Sequence, residues 1–312
     1  MKRIAAYGTL NCDLLFQGVP GLPSEGEEIF SKKFEMQLGG GFPAAMINLH
    51  RLGVPVSLST FLGEDLFSEF LEGRIHDFGL DFLNLYEPGQ GCPVTITSIA
   101  VTKNDRTFLS WEGKPEISDA AEEKIFHQMA GADIVCMGNS MFDLYSRLKK
   151  EKPGIQFIMD TGWSDALSLA YMEKYLTLAD YYIPNEKEAL KVTGTADAEA
   201  AAEVLERYFP EVIIKLGKQG CLYKKGSIRQ IVPALDCFKQ VDATGAGDAF
   251  LSGFLYGMYN GYRTLDCIRF GNIMGGLCVS CVGCLSADVR EDILLQYWNQ
   301  YYGGGKSDHE NG

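Results

Sequence analysis

Short apolar runs alternate along this chain with stretches in which apolar residues recur every three or four positions, and the two patterns predict strands and helices in turn. Arg3–Tyr7, Val56–Phe61, Ile134–Met137, Ile155–Met159, Tyr181–Ile183 and Val212–Lys215 read as strands. Helices are expected from the triple glycine Gly39-Gly40-Gly41 to Leu52, over Leu66–Phe78, near Ala120–Met129, near Met141–Lys149, up to Ala179, over Asp197–Tyr208, and from Ala249, Thr264 and Glu291 onward. Gly53 stands where a helix C-cap belongs. Gly220–Lys224 with Ile228–Val232 read as a hairpin, and Gly8–Asp13 as a ligand-binding loop after the first strand. Strand and helix in regular succession predict an α/β architecture.

Two segments break the succession. Leu14–Leu38 carries Gly or Pro at 18, 20, 21, 23 and 26 and then period-two character over Glu28–Leu38. Pro93–Val101 and Arg106–Trp111 look like two strands joined by the turn Lys103-Asn104-Asp105. Together they predict one discontinuous β lid, from segments of about 14–38 and 92–112, on a single domain over 1–302. Residues 303–312 form a polar tail expected to be mobile. No internal repeat is visible.

Composition narrows the function classes. With 312 residues and 34.4 kDa the chain can bury a large core. A net charge of −13 leaves no basic stripe for a nucleic-acid backbone, so nucleic acid is not an expected partner. The longest apolar stretches are interrupted by Gly, Asn or charge, and Met1–Tyr7 reads as a first strand, which predicts a cytoplasmic protein without a membrane partner. Nine scattered cysteines, an odd number, read as reduced thiols. Cys278, Cys281 and Cys284 have C-x2-C-x2-C spacing, but the fourth Cys and the following Pro of an iron–sulfur motif are missing, so core packing is the expected role. His50, His76, His127 and His309 show no ligand spacing.

The candidate chemistry centres on Val241–Phe250. Gly245, Ala246 and Gly247 run into an apolar helical pattern with Phe250, Phe254, Leu255 and Met258. Exposed backbone N–H groups at such a helix start attract an anion such as phosphate. Asp248 in that turn either steadies the first helical turn or takes a proton from a group attacking the anion. Two other phosphate motifs fall away. Gly305-Lys306-Ser307 ends like a P-loop, yet its first Gly would fall at Gln300. Gly39-Gly40-Gly41-Phe42-Pro43-Ala44 fits G-x-G-x-x-A, but about thirty residues separate it from the first strand, against a dinucleotide fold.

Taken together, Gly39-Gly40 opening a helix that ends Arg51-Leu52-Gly53, Asn185-Glu186-Lys187-Glu188 after a strand, Lys215-Leu216-Gly217-x-x-Gly220, and Asp242-x-Thr244-Gly245-Ala246-Gly247-Asp248 resemble the PfkB family of carbohydrate kinases, the ribokinase-like enzymes. The resemblance runs from Gly8 to about Glu291. It implies a central, mostly parallel sheet flanked by helices with a small β lid. It also implies ATP-dependent phosphorylation of a hydroxyl, preferentially a primary one, on a sugar or sugar-like molecule. Asp248 would then be the general base, with the N–H groups of Gly245, Ala246 and Gly247 as the anion hole. Asn185, Lys215, Gly217, Gly220 and Asn272 would face ATP. Glu188 would order Mg²⁺ through water, and Asp242 and Thr244 would help hold a monovalent cation such as K⁺, with carbonyls of Val279–Cys284. Helix capping by Asn185, with Glu186 and Glu188 in the first turn, is the alternative for that segment.

On the substrate side the resemblance assigns Asn11 and Asp13 to sugar hydroxyls and Gly39, Gly40 and Gly41 to close backbone approach. Arg106 would reach a substrate oxygen or lie on a strand surface. The family's usual substrate-binding asparagine is replaced by Ala44, after Phe42 and Pro43, which leaves the sugar unassigned. A nucleoside kinase of the same superfamily and a non-catalytic sugar-binding relative are the competing readings. The lid surface is where a homodimer contact is expected.

Overall fold

The computed structural model describes residues 2–103 and 106–303. At its centre, strand β1 (Ile4–Tyr7) pairs in parallel with β4 (Val56–Thr60) and β8 (Ile134–Met137). β5 (Phe82–Asn84) follows β4, and β9 (Gln156–Met159) and β10 (Tyr181–Tyr182) follow β8, so the order is β10-β9-β8-β1-β4-β5 with every pairing parallel. A single parallel bridge from Asn185 to Lys215 carries this sheet on to β11 (Val212–Lys215). β12 (Cys221–Lys225) and β13 (Ile228–Val232) complete an antiparallel extension there.

Successive strand residues point to opposite faces, and this chain is apolar on both. Ile4, Ala6, Ile134 and Cys136 enter one core, while Ala5, Val135 and Met137 enter the other. The first core is closed by α1 (Gly41–Arg51), α2 (Leu66–Asp77), α8 (Ala246–Tyr259), α9 (Thr264–Val279) and α10 (Glu291–Tyr301). The second is closed by α3 (Asp119–Ala130), α4 (Phe142–Glu151), α5 (Leu169–Leu176), α6 (Glu186–Thr193) and α7 (Ala198–Leu205). Phe250, Phe254 and Leu255 of α8 are buried in the first core. At about 1.5–3 kcal/mol each, they anchor the helix whose N-terminus carries Asp248.

A second sheet, of order β3-β2-β6-β7, is built from β2 (Asn11–Gln17), β3 (Lys33–Leu38), β6 (Thr95–Val101) and β7 (Arg106–Trp111). Here β2 and β6 are parallel and the outer pairings antiparallel. Its strands come from the two segments that break the strand–helix succession, but the sheet begins at Asn11. Gly8–Asp13, expected as a loop, is therefore half strand, because Asn11 pairs with Thr95 and Asp13 with Thr97. Within Glu28–Leu38 only Lys33–Leu38 is paired. β5, three residues long, is too short for a periodic signal. The helix expected from Ala249 starts at Ala246. The tip of the expected Lys103–Asp105 turn and the tail from residue 304, with Lys306, Ser307 and His309, lie outside the described residues.

Candidate active site

The ends of the parallel strands open into one cavity of about 960 Å³. Gly8 follows β1, Asn139 follows β8, Asp160 and Thr161 follow β9, Asn185 and Glu188 follow β10, and Lys215 ends β11; all line it. Ligands in open α/β sheets bind at these carboxyl ends, because side chains of the following loops converge there. The N-terminal turn of α8 supplies the floor through Ala246, Gly247 and Asp248. Gly245 caps that helix in the left-handed region, at φ 74°.

Asp248 is fixed by a chain segment two hundred residues away. The N–H of Gly41 donates to its Oδ2 at 2.9 Å. A Cβ on Gly40 would stand 2.6 Å from the same oxygen, and one on Gly39 would stand 2.7 Å from Asp13 Oδ2 and 2.8 Å from Asn11 Nδ2. The triple glycine thus lies between the carboxylates of Asp13 and Asp248. Burial raises Asp248 to about 7, Asp160 and Asp13 pushing the same way against the Gly41 N–H and Lys215. Burial likewise raises Asp13 to about 7, although Asn11 opposes it with a 2.7 Å hydrogen bond from Nδ2 to Oδ1.

Asn11 and Asp13 stand on β2, and neighbouring strands extend their polar surface. Gln37, Asp13, Thr97 and Ser110 pair in register across all four strands of the second sheet, so they form one row on one face. The Thr97 hydroxyl donates to Asn11 Oδ1 at 3.1 Å and lies 3.1 Å from Ser110 Oγ. Sequence reading missed Gln37, Thr97 and Ser110. Period-two alternation in β6 and β7 was the available signal, since it sets these polar residues on the face shared with buried Ile99.

On the other side of Asp248, Lys215 Nζ lies 3.1 Å from Asp160 Oδ2, with side-chain exposures of 11% and 12%. A Cβ on Gly247 would be 3.5 Å from that ammonium, which places the Lys215 charge at the turn's N–H groups. Burial works against the charged lysine, but Asp160, Glu188 and Asp248 outweigh it and raise Lys215. Burial raises Asp160 too, only partly offset by Lys215. Asp160 was not singled out from sequence, although an Asp immediately after an apolar strand of such a sheet is a positional signal.

Asn185 and Glu188 form a complete capping box on α6: Asn185 Oδ1 accepts from the Glu188 N–H at 3.0 Å, and Glu188 Oε2 accepts from the Asn185 N–H at 2.9 Å. Both still line the cavity. Burial raises Glu188 to about 7, with Asp160 adding to it. Gly217 and Gly220 line the opposite wall, beside Leu235, Phe238 and Val279. Asn272 also lines the cavity, but its amide N–H₂ donates to the carbonyls of Val232 and Pro233, both at 3.1 Å, and so holds the loop that carries Leu235 and Phe238.

Asp242, Thr244 and Arg106 form a separate group behind the turn. Arg106 Nη1 donates to Asp242 Oδ1 and to Thr244 Oγ1. Arg106 is not among the residues that line the cavity, and its guanidinium also stands 5.7 Å from the ring of Phe108 on the same strand. Burial pulls Asp242 upward, but the N–H groups of Thr244 and Gly283, the Thr244 hydroxyl and the Arg106 charge outweigh it and hold the carboxyl below its usual range.

The fold and cavity define an α/β protein covered on both faces of its sheet, with a cleft at the strand ends, a glycine-bounded helix start and a buried carboxylate in that helix's first turn. The sequence matches the pfkB family carbohydrate kinase description over residues 1–291, and the chain belongs to that family. It is similar to the ribokinase of Haemophilus influenzae, 23% identical over 307 residues that cover 95% of this chain and 98% of the relative. Among solved structures it is similar to Arabidopsis thaliana ribokinase in complex with ribose and ATP, with a TM-score of 0.77, 24% identity, and coverage of 95% of this chain and 98% of that one. It is also similar to the nucleoside kinase of Burkholderia thailandensis in complex with inosine, with a TM-score of 0.75, 20% identity and coverage of 96% and 99%. No helix among the described residues is long and apolar enough to cross a membrane.

Proposed function

We propose that this carbohydrate kinase transfers the γ-phosphoryl group of ATP to a primary hydroxyl of a sugar or sugar-like molecule held against the second sheet. The observation that carries the reading is the position of Asp248, between the polar face of Asn11 and Asp13 on one side and the Lys215–Asp160 pair on the other. Asp248, with its pKa near 7, accepts the proton of the attacking hydroxyl. The N–H groups of Gly245, Ala246 and Gly247, with Lys215 behind them, balance the charge that spreads over the transferred phosphoryl oxygens.

Asn11, Asp13, Thr97 and Ser110 orient the acceptor, and Gly39, Gly40 and Gly41 let it approach the backbone. Gly217, Gly220 and the apolar side chains of Leu235, Phe238 and Val279 suit the adenine, with Asn272 holding their loop in place. Among the described residues no cluster of three or more His, Cys, Asp or Glu forms a metal cage. Glu188 and Asp160 at the cavity wall instead fit Mg²⁺, which binds through one or two carboxylates, water and phosphate oxygens. When bound, Mg²⁺ would screen the charge of the phosphates. Ala44 is fully buried in α1, so acceptor selection falls to the second sheet.

ATP consumption across ribose, fructose, 2-keto-3-deoxygluconate, adenosine and cytidine tests the reading. Turnover with a sugar or sugar acid supports it. Turnover with adenosine or cytidine alone makes the chain a nucleoside kinase, and tight sugar binding with no ADP formed makes it a binding protein.

The outer face of the second sheet favours a homodimer. Phe34, Leu109 and Trp111 share that face by register and are 50%, 77% and 54% exposed. An apolar group of this kind on a sheet commonly marks an interface. Light scattering is expected to give a mass of two chains for the native sequence and one for Leu109→Glu. A native monomer at tens of micromolar would exclude the contact.

A further inference from the structure

The loop that precedes the anion turn offers little to a free cation, because its oxygens already hold donors. Asp242 Oδ1 accepts from the Thr244 N–H at 2.9 Å, from the Thr244 hydroxyl at 2.8 Å and from Arg106. Asp242 Oδ2 accepts from the Gly283 N–H at 2.9 Å. Each carboxylate oxygen has about two lone-pair positions, so the three donors that converge on Oδ1 leave that oxygen nothing to offer, while Oδ2 holds one donor. The Val279 carbonyl accepts from the N–H groups of Val241 at 2.7 Å and Asp242 at 3.1 Å, and the Cys278 thiol, with one hydrogen to give, lies 3.3 Å from the Thr244 carbonyl and 3.7 Å from that of Cys284. Of the expected K⁺ ligands, Asp242 Oδ1 and the Val279 carbonyl are therefore engaged, and the guanidinium of Arg106 already stands at Asp242 and Thr244.

That charge is well placed to stay. The side chains of Arg106 and Asp242 are 22% and 8% exposed, so water screens their attraction little. Arg106 opens β7 in the second sheet, and Asp242 lies 136 positions further along the chain. The sheet that carries Asn11 and Asp13 is thus tied to the loop feeding Gly245. A further monovalent cation at Asp242 would be repelled by the guanidinium and would have to displace it.

We propose that the Arg106 guanidinium takes the place of a monovalent cation at Asp242 and Thr244, so that this kinase works without added K⁺ or Na⁺. The inference rests on the phosphotransfer reading for its effect on turnover, but not for its effect on ion binding. Arg106 is a positioning residue: it neutralises Asp242 and holds Thr244, and through them the start of the anion turn.

The test compares the native chain with Arg106→Ala, and with Arg106→Gln should the first variant fail to fold. Melting is followed by intrinsic fluorescence in KCl and in choline chloride at equal ionic strength, and ATP consumption is measured with the best acceptor in both salts. The native chain is expected to melt at the same temperature and turn over within about 2-fold in the two salts. With Oδ1 of Asp242 released, the variant is expected to melt about 2 °C or more higher in KCl, as binding to the folded state requires. Its turnover is expected to be roughly 10-fold greater in KCl, since each such factor is a modest change in barrier. A native chain that is itself stabilised or activated by K⁺ overturns the proposal, and so does a variant that melts identically in both salts. Absence of phosphotransfer in every protein, with the melting pattern as expected, counts against the kinase reading alone.

Discussion

Asp248→Asn is expected to lower turnover by roughly 10²-fold or more, since a positioned general base contributes about 10²–10⁴. Asn keeps an oxygen for the Gly41 N–H, so geometry survives while basicity is lost. In the native chain kcat/KM should rise with pH through about 7 and level off above it, because Asp248 must be ionised to accept the proton. Stability should move the opposite way. A carboxyl whose folded pKa lies above its unfolded value favours the fold fully at low pH, and that advantage disappears as pH rises from about 4 through about 7. At pH 8 the native chain carries this burden and the Asn variant does not. Allowing for water in the cavity, the variant should be more stable there by on the order of 1–2 kcal/mol, and no more stable at pH 4. Rates at saturating acceptor and denaturation at both pH values check the pair. Turnover within about 3-fold of native would remove Asp248 from the role of base.

Gly245→Ala is expected to be the most damaging small substitution in the turn. Gly245 has φ 74°, which costs an alanine about 1–2 kcal/mol, and the new methyl would stand 2.1 Å from Cys284 Cβ and 2.8 Å from its Cα. Those contacts involve the base of a buried residue and cannot be relieved by turning a long side chain. Strain and overlap together should destabilise the chain by about 3 kcal/mol or more. The shift needed to relieve them moves the N–H groups of Ala246 and Gly247 and the carboxylate of Asp248 together, so turnover should fall as well. Gly53→Ala is the control: φ is 77°, but nothing lies within 4 Å of the new methyl. Urea denaturation that finds Gly245→Ala no worse than Gly53→Ala would show that Cys284 gives way freely.

The parts of this molecule that announce themselves in sequence are those made by neighbours in the chain. Ile134–Met137 is an unbroken apolar run because both of its faces are covered, and it is found at the expected positions. Gly245-Ala246-Gly247 before an apolar stripe marks a helix start whatever the rest of the chain does. The capping box of Asn185 and Glu188 is spelled out within four residues, and the same two residues also line the cavity. Asn11 and Asp13 were visible as polar residues after a first strand, but their pairing with Thr95 and Thr97 was not, because those partners lie more than eighty positions away.

Local periodicity and turn chemistry therefore determined the α/β succession, the separate β segments and the glycine-bounded helix start with its carboxylate. Tertiary structure decided what those elements do to one another: that Gly41 fixes Asp248, that Asp160 meets Lys215, that Gln37, Asp13, Thr97 and Ser110 form one row, and that Arg106 answers the charge of Asp242. Each of these contacts joins residues far apart in the chain, and the electrostatics follow from burial they share only once the sheets have formed. A sequence specifies hydrogen-bond capacity and charge residue by residue, but which donor reaches which acceptor is set by packing.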